Sequence, residues 1–304
     1  MNGSLNNIFF ILIGLLLFVT CNYNNRQQSN LTSHQCEGKI DPDDGIFVEY
    51  PDSLAPSRHL SYSNDNLIYK PGRKWIYKYH WTNNGKSFRF VLPESEDSTP
   101  QDWSIVDSTT NEYYTKAIAS YRMSIPTKTG FYEDDSLYQQ TIVAFRSFQA
   151  NGTPSDFSSY TGVIENCQNI WLHPLRFGLL EFNQVTPYPY IQFPLEKGLS
   201  YSWNFEIGQG WGNPLWAEWE GLLKINYQYR IGKEITYELK NKSKEIPCTE
   251  ILAEGQSRIG SSTARFVFSR DYGFLEMEYT LNDSLKMSIT LDSLSDGNLE
   301  DGVW

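Results

Sequence analysis

The sequence predicts a mainly β protein: an antiparallel meander or a partly closed β-barrel or half-barrel with little helix, with two related β units left open. Aromatic residues make up 15% of the chain, with Tyr 20, Phe 17 and Trp 9, and such side chains suit a pleated, half-buried surface. Residues 75–81 alternate apolar and polar side chains with the period of a strand. After residue 162, strand-like runs recur between turn residues, which is typical of a meander or barrel.

The first half of the chain contains one predicted hairpin and two further elements. Residues 87–92 read as the partner of 75–81 across the turn at 82–85. The mixed periodicity of 113–125 fits a helix or a strand, whereas 136–149 predicts a strand. Residues 150–160 are predicted to be a loop because they are rich in Gly, Ser, Asn and Pro.

The second half is predicted to be almost entirely strands. Residues 185–198 contain several prolines, which lack a backbone donor, so this stretch is expected at a sheet edge. The later strand-like runs are 199–207, 219–231, 234–240, 248–256, 265–269, 273–279 and 286–291. The segments 71–77 and 195–201 both place a Gly shortly before an aromatic β-run, which indicates either two related units or a chance likeness between hairpins.

These patterns divide the chain into five regions. We expect a lipoprotein signal peptide at residues 1–21 and a flexible tether with an irregular segment at 22–66. An N-terminal β region follows at 67–161 and a C-terminal β region at 162–291. An acidic, disordered tail is expected at 292–304.

The N-terminus indicates export and lipidation at Cys21. Residues 8–19 form an apolar run that is too short to span a bilayer, and Cys21 follows before a polar tether. The residues before it, Phe18-Val19-Thr20, depart from the usual lipobox, and no Lys or Arg precedes the run. An uncleaved anchor and an ordinary cleaved signal are the alternatives. The chain is therefore expected to be lipid-anchored in the cell envelope, at the periplasmic or the surface face of the outer membrane.

A resemblance to a protein family supports this location. The segments that carry it are IWLHPLR at 170–176, YPYIQFPLEKGLSYSW at 188–203, GQGWG at 208–212, WAEWEG at 216–221 and RFVFSRDYGFLEMEY at 265–279. They resemble uncharacterised Bacteroidota lipoproteins, and the last also resembles half-barrel β proteins of the bacterial envelope. The resemblance implies export and a β fold, and it implies no activity.

Charge and motif content narrow the function classes. The net charge of −11 argues against a nucleic-acid partner, and no motif predicts a metal site or a cofactor. The lack of a recognisable catalytic motif favours a protein without catalytic activity.

The candidate ligand-binding residues are three tryptophans and a His/Arg pair. Trp211 lies within a loop-like GQGWGNP stretch, and Trp216 and Trp219 follow it. Indole faces stack on sugar rings or fill apolar pockets. His173 and Arg176 could together hold a carboxylate or phosphate. The alternatives are core packing for the tryptophans and a turn-capping role for His173.

Covalent features complete the expectations. With Cys21 assigned to the anchor, Cys167 and Cys248 are the preferred disulfide pair, and a buried free thiol at Cys248 is the alternative. Asp-Ser motifs resemble the O-glycosylation acceptors of Bacteroidota exported proteins. The better acceptors are Ser53, Ser136, Ser284 and Ser293.

Three functions remain open from the sequence. The first is a non-catalytic binding or carrier lipoprotein for an apolar (lipid) or glycan ligand. The second is a structural or interaction component of an envelope assembly, with a protein partner. The third, least favoured, is a hydrolase.

Overall fold

The computed structural model describes residues 38–40, 45–49, 66–91, 104–109, 117–125, 141–175, 178–239 and 245–296, all within one compact unit. The strands are β1 Gly38–Ile40, β2 Phe47–Glu49, β3 Arg73–Asn83, β4 Lys86–Val91, β5 Ser104–Asp107, β6 Ile118–Ser124, β7 Thr141–Gln149, β8 Pro154–Glu165, β9 Asn169–Leu172, β10 Tyr190–Gln192, β11 Ser200–Gly208, β12 Leu222–Glu238, β13 Glu245–Ser257, β14 Gly260–Ser269, β15 Gly273–Leu281 and β16 Leu285–Asp296. Short 3-10 segments occur at Gly178–Val185 and Gln209–Trp211. The predicted mainly β class is confirmed.

One 14-stranded sheet contains every described strand except β1 and β2, which pair with each other. Its path runs β10-β9-β8-β7-β6-β3-β16-β15-β14-β13-β12-β11, and β4 and β5 continue from β3 as a side branch. The pairings between described strands are antiparallel. The chain returns to the middle of the sheet when β16 pairs with β3, and this joins the two predicted β regions into one sheet.

The sheet curls into a nearly closed barrel because its edge strands β10 and β11 meet. The Tyr201 hydroxyl donates to the Tyr190 carbonyl at 2.7 Å, and the two rings lie 5.4 Å apart. The Tyr229 hydroxyl donates to the Tyr188 carbonyl at 3.1 Å. The proline-rich stretch therefore forms an edge, as predicted, and side-chain contacts cover that edge.

The predicted hairpin is formed by β3 and β4. Asn84 and Gly85 connect the strands with φ values of 48° and 77°, which are the left-handed values that a two-residue hairpin turn requires. Residues 118–124, within the segment 113–125 that fitted either a helix or a strand, form strand β6.

The interior of the curled sheet is filled by the chain itself. Strands such as β12 alternate buried and exposed residues, and their buried side chains join one apolar cluster. Residues Leu180, Phe182 and Val185 of the 3-10 segment are at most 2% exposed and belong to the same cluster. This segment acts as an internal plug.

The segments 71–77 and 195–201, which resemble each other in sequence, are associated with the same pattern of turn hydrogen bonds. Arg73 N donates to Lys70 O at 3.2 Å, and Gly72 N donates to Ile125 O at 3.0 Å. In the second copy, Leu199 N donates to Glu196 O at 3.0 Å and Gly198 N donates to Ile231 O at 2.8 Å. Both glycines have positive φ, 85° and 91°. The same turn therefore starts β3 and β11, in agreement with two related β units.

Three predicted boundaries differ from the structure. Residues 154–160 belong to strand β8 and are not a loop, because they pair with β7. The runs at 219–231 and 234–240 are one strand, β12, with an irregularity between Ile231 and Glu234. Strand β16 continues to Asp296, inside the predicted tail. The domain boundaries themselves stay predictions.

Candidate functional site

The connection between β11 and β12, residues 209–221, is an ordered loop. Asn213 N donates to Ala217 O at 2.8 Å, and Trp216 N donates to Asn213 O at 3.0 Å, which closes a turn over residues 213–217. The side-chain oxygen of Asn213 accepts from Leu215 N at 2.9 Å. Gln209 Oε1 accepts from Gly221 N at 2.6 Å and ties the two ends of the loop together. These bonds hold the side chains of the loop in place without a regular element.

The loop presents apolar surface at one end of the sheet. Trp211 and Trp216 are partly buried and pack against the core, and Trp219 is 9% exposed. Leu215 is 47% exposed at the tip of the turn, and Leu222, at the start of β12, is 60% exposed. Neither leucine is among the residues that the sequence predicts for the site. The turn-forming pair Asn213-Pro214 could have indicated that Leu215 lies at an exposed turn. We call Trp211, Leu215, Trp216, Trp219 and Leu222 the apolar rim.

Acidic side chains flank the apolar rim. Glu218 and Glu220 are both exposed, and they lie in the loop before β12 begins. The surface is therefore apolar with negative charge beside it, which suits an uncharged ligand better than an anion.

His173 lies elsewhere, in an aromatic cluster inside the sheet. Its ring centroid is 5.5 Å from that of Trp171 and 5.4 Å from that of Tyr188. Tyr188 in turn lies 4.9 Å from Trp203 and 6.2 Å from Tyr227. His173 Nδ1 lies 2.7 Å from the Pro174 carbonyl and is 6% exposed overall. The histidine is thus buried among aromatic rings, and Arg176 lies outside the described residues.

The aromatic cluster carries polar atoms that the structure leaves without hydrogen-bond partners. The Tyr227 hydroxyl, Trp171 Nε1 and Gln184 Nε2 are buried in this way, and burial raises the pKa of Tyr227 well above its usual value. The Tyr188 hydroxyl donates to Gln184 Oε1 at 3.1 Å, so this glutamine is partly satisfied. The cluster is the core packing of an aromatic-rich sheet rather than an open site.

The predicted Cys167–Cys248 disulfide is wrong. Cys248 is a buried free thiol on β13, and its Sγ lies 3.4 Å from the Ile246 carbonyl. Burial raises its pKa to about 12. Cys167 lies in the turn between β8 and β9 and is disulfide-bonded, so its partner lies outside the described residues. A disulfide requires Cα atoms within about 7 Å, and sequence alone does not reveal which turn approaches which strand.

Several predicted modification sites can be placed only in part. Cys21, Ser53 and Ser136 lie outside the described residues. Ser284 is in the turn between β15 and β16, where its side chain is partly buried. Ser293 is within β16 and faces Ile76 of β3 in the register. Modification at these serines stays a prediction.

Two kinds of feature, a membrane-spanning helix and a metal-binding cluster, are absent from the described ranges. No helix there is long and apolar enough to cross a bilayer. In the same ranges, no three His, Cys, Asp or Glu side chains are grouped so that they could hold a metal ion.

Comparison with solved structures gives distant likenesses. An exported protein with a YmcC-like fold from Bacteroides fragilis is 8% identical, covers 75% of this chain and 98% of its own, and has a TM-score of 0.40. A lipoprotein from Parabacteroides distasonis is also 8% identical, covers 75% and 97%, and has a TM-score of 0.39. The lipoprotein YmcC from Escherichia coli is 10% identical, covers 81% and 98%, and has a TM-score of 0.29.

No protein-family model matches this chain, and no curated protein is similar to it. Each of the three solved structures matches this chain only distantly. Because the identities and TM-scores are low, they support no statement about a ligand or an activity.

Proposed function

We propose that this chain is a lipid-anchored envelope protein without catalytic activity that binds an apolar ligand at the apolar rim. The observation that carries the proposal is the exposure of Leu215 and Leu222 in and directly after the loop that holds the partly buried Trp211 and Trp216. Leucines and indole rings presented by one ordered loop offer apolar surface that a ligand can cover. An acyl chain of a lipid is the ligand class that fits leucine and indole surface without a charged partner.

The expected affinity is modest. Full burial of a leucine side chain contributes about 1.5–3 kcal/mol, and Leu215 and Leu222 are already partly covered by the protein. Covering their exposed parts therefore contributes about 2–3 kcal/mol in total, and contacts with the two indole rings add to this. Because a dissociation constant of 1 mM corresponds to about 4.1 kcal/mol, a value in the millimolar range follows, which suits reversible transfer rather than permanent capture.

A glycan is the alternative ligand at the same surface. Indole faces stack on sugar rings, and the exposed Glu218 and Glu220 could accept hydrogen bonds from sugar hydroxyls. The two exposed leucines favour the acyl chain, because a sugar gains little from contact with aliphatic side chains.

A second candidate function is that of an interaction component of an envelope assembly. The observation in its favour is the internal plug at Gly178–Val185, which fills the curled sheet with the chain's own side chains. A carrier that encloses its ligand inside a barrel needs that space. Under this candidate, the apolar rim contacts a protein partner.

Titration of the full-length chain carrying Cys21→Ala, which has no lipid anchor of its own, tests the ligand class. The probes are lauric acid and a soluble malto-oligosaccharide, and tryptophan fluorescence is the readout. We expect saturable binding of lauric acid, weakened about tenfold or more by Leu215→Ala with Leu222→Ala. The matched control is Leu67→Ala, since Leu67 is 61% exposed and lies far along the chain.

The outcomes separate the candidates. Binding of the oligosaccharide alone, lost in Trp211→Ala, would assign a glycan. Absence of binding to both probes would contradict the proposed ligand site and favour the protein partner. Equal weakening by the rim variants and by Leu67→Ala would also contradict it.

A further inference from the structure

Two arginines face each other on the outer surface of β6 and β7. Arg122 and Arg146 are direct partners in the antiparallel register, so their Cβ atoms are about 5 Å apart. Their neighbours Tyr121, Met123 and Phe145 point the other way, into the core. The arginines therefore project from the convex face, away from the apolar interior.

No acid neutralises this pair within the part of the chain that the structure describes. The ion pairs found there involve other groups: Asp292 of β16 pairs with Lys78, and Asp296 pairs with Arg73 and Lys70. Arg122 Nε is buried and has no hydrogen-bond partner. The Arg122 guanidinium lies 5.6 Å from the centre of the Phe148 ring, which restricts its orientation.

The same sheet shows how an outer-face arginine is otherwise accommodated. Arg265 on β14 is surrounded by Glu250 at 2.8 Å, Glu278 at 3.2 Å and Glu276 at 3.6 Å. Three carboxylates thus lie near the one guanidinium of Arg265 on β14. Among the described residues, no carboxylate forms an ion pair with the two guanidiniums on β6 and β7. In a chain with net charge −11, this is a local concentration of positive charge.

Among the described residues, this arrangement is electrostatically unfavourable unless an anion is bound. Like charges directly opposite each other on neighbouring strands repel. Burial and the Arg146 guanidinium lower the pKa of Arg122, which agrees with an uncompensated cation. A ligand that supplies negative charge would remove the repulsion and satisfy the unpaired donor.

We infer that Arg122 and Arg146 form a binding site for a phosphate group. A carboxylate carries one charge and engages one guanidinium fork, whereas a phosphate monoester carries close to two charges and has three acceptor oxygens. Two opposed forks match the second group in both charge and donor number. Ser158, the partner of Arg146 on β8, adds an exposed hydroxyl beside the site.

The phosphate has two chemical sources: a soluble phosphate ester, or the headgroup of a phospholipid. The site is on β6 and β7 and does not depend on the apolar rim between β11 and β12. The inference therefore stands or falls separately from the proposed function.

The test uses the full-length chain carrying Cys21→Ala with two probes. The first is inorganic phosphate, followed by calorimetry. The second is flotation with phosphatidylcholine vesicles that either contain or lack phosphatidic acid. We expect binding to at least one probe, weakened about tenfold or more by Arg122→Gln with Arg146→Gln. Binding to inorganic phosphate indicates a soluble ester, and binding only to phosphatidic acid vesicles indicates a headgroup.

The matched control is Arg230→Gln, because Arg230 is a single exposed arginine on β12. It removes one positive charge, as each of the two single variants does, and should leave binding unchanged within about twofold. Thermal unfolding checks the folding of the variants: the Arg122→Gln and Arg146→Gln single variants should be at least as stable as the parent, and phosphate should stabilise only the parent. Equal binding by the parent and the double variant, or no binding to either probe, would overturn the inference.

Discussion

Replacement of Glu165 by alanine should remove the hydrogen bonds that hold residues 67–69, the segment that precedes β3, against β8. The Glu165 carboxylate, at the end of β8, accepts hydrogen bonds from the backbone N–H groups of Leu67, Ile68 and Tyr69 at 2.8, 2.9 and 2.8 Å. These bonds hold Tyr69 against the Trp75 ring at 5.3 Å. Glu165 thus connects β8 to residues almost 100 positions earlier in the chain.

The size of the effect follows from these three bonds. Truncation leaves three backbone N–H donors without their acceptor, and each buried donor left unsatisfied costs about 1–3 kcal/mol. Glu165 and Leu67 are not fully buried, so water replaces part of the loss after truncation. We expect Glu165→Ala to lower the free energy of unfolding by about 3–5 kcal/mol, and the melting temperature by about 10 °C for a domain of this size. Glu165→Gln keeps an acceptor oxygen and should cost about 1–2 kcal/mol.

Thermal unfolding followed by near-ultraviolet circular dichroism measures both variants. Glu254→Ala is the matched control, because Glu254 is exposed on β13 and should change stability by less than about 0.5 kcal/mol. If Glu165→Ala and Glu254→Ala unfolded at the same temperature, the three hydrogen bonds would not stabilise the fold as we argue.

Three further predictions concern titration and the cysteines. Burial raises the pKa of Glu165 in the folded state, against the opposing effect of its N–H donors. The stabilisation that comes from this raised pKa should be fully present at a pH below the pKa of Glu165 in the unfolded chain. It should be lost as the pH rises through the pKa of Glu165 in the folded protein. Urea unfolding between about pH 4 and pH 7 should show this loss in the parent but not in Glu165→Gln, and parallel curves would contradict it. Burial raises the pKa of Cys248 to about 12, so iodoacetamide at pH 8 should label Cys248 in denaturant and not in the native protein. Labelling of Cys248 in the native protein would contradict this prediction. Digestion without reduction should leave the Cys167 peptide cross-linked and the Cys248 peptide free, and a Cys167–Cys248 peptide would contradict the structure.

The parts of the fold that sequence predicted depend on local chemistry. Asn84-Gly85 supplies the positive φ of a hairpin turn, and prolines restrict residues 185–198 to a sheet edge. Strand β8 was missed because its Ser- and Pro-containing start has the composition of a loop. Its pairing with β7 is a tertiary interaction that local propensity does not contain.

The candidate site was predictable only in part for the same reason. The tryptophan-rich stretch at 209–221 did form an ordered loop with partly buried indoles. The exposure of Leu222, the burial of His173 and the free thiol at Cys248 depend on which strands curl together. The facing of Arg122 and Arg146 depends on the register of β6 and β7, which no pattern within either strand specifies.

The most direct test of the apolar rim is the indole N–H spectrum of ¹⁵N-labelled protein during titration with lauric acid. The chain has 9 tryptophans, so Trp211→Phe and Trp216→Phe variants assign the signals of these two residues, which are the less buried tryptophans of the rim. We predict that lauric acid shifts the signals of Trp211 and Trp216 in a saturable manner, while those of the core residues Trp75 and Trp203, at 0% and 3% exposure, stay in place. Shifts confined to Trp75 or Trp203, or no saturable shift at any indole, would contradict the proposed ligand site.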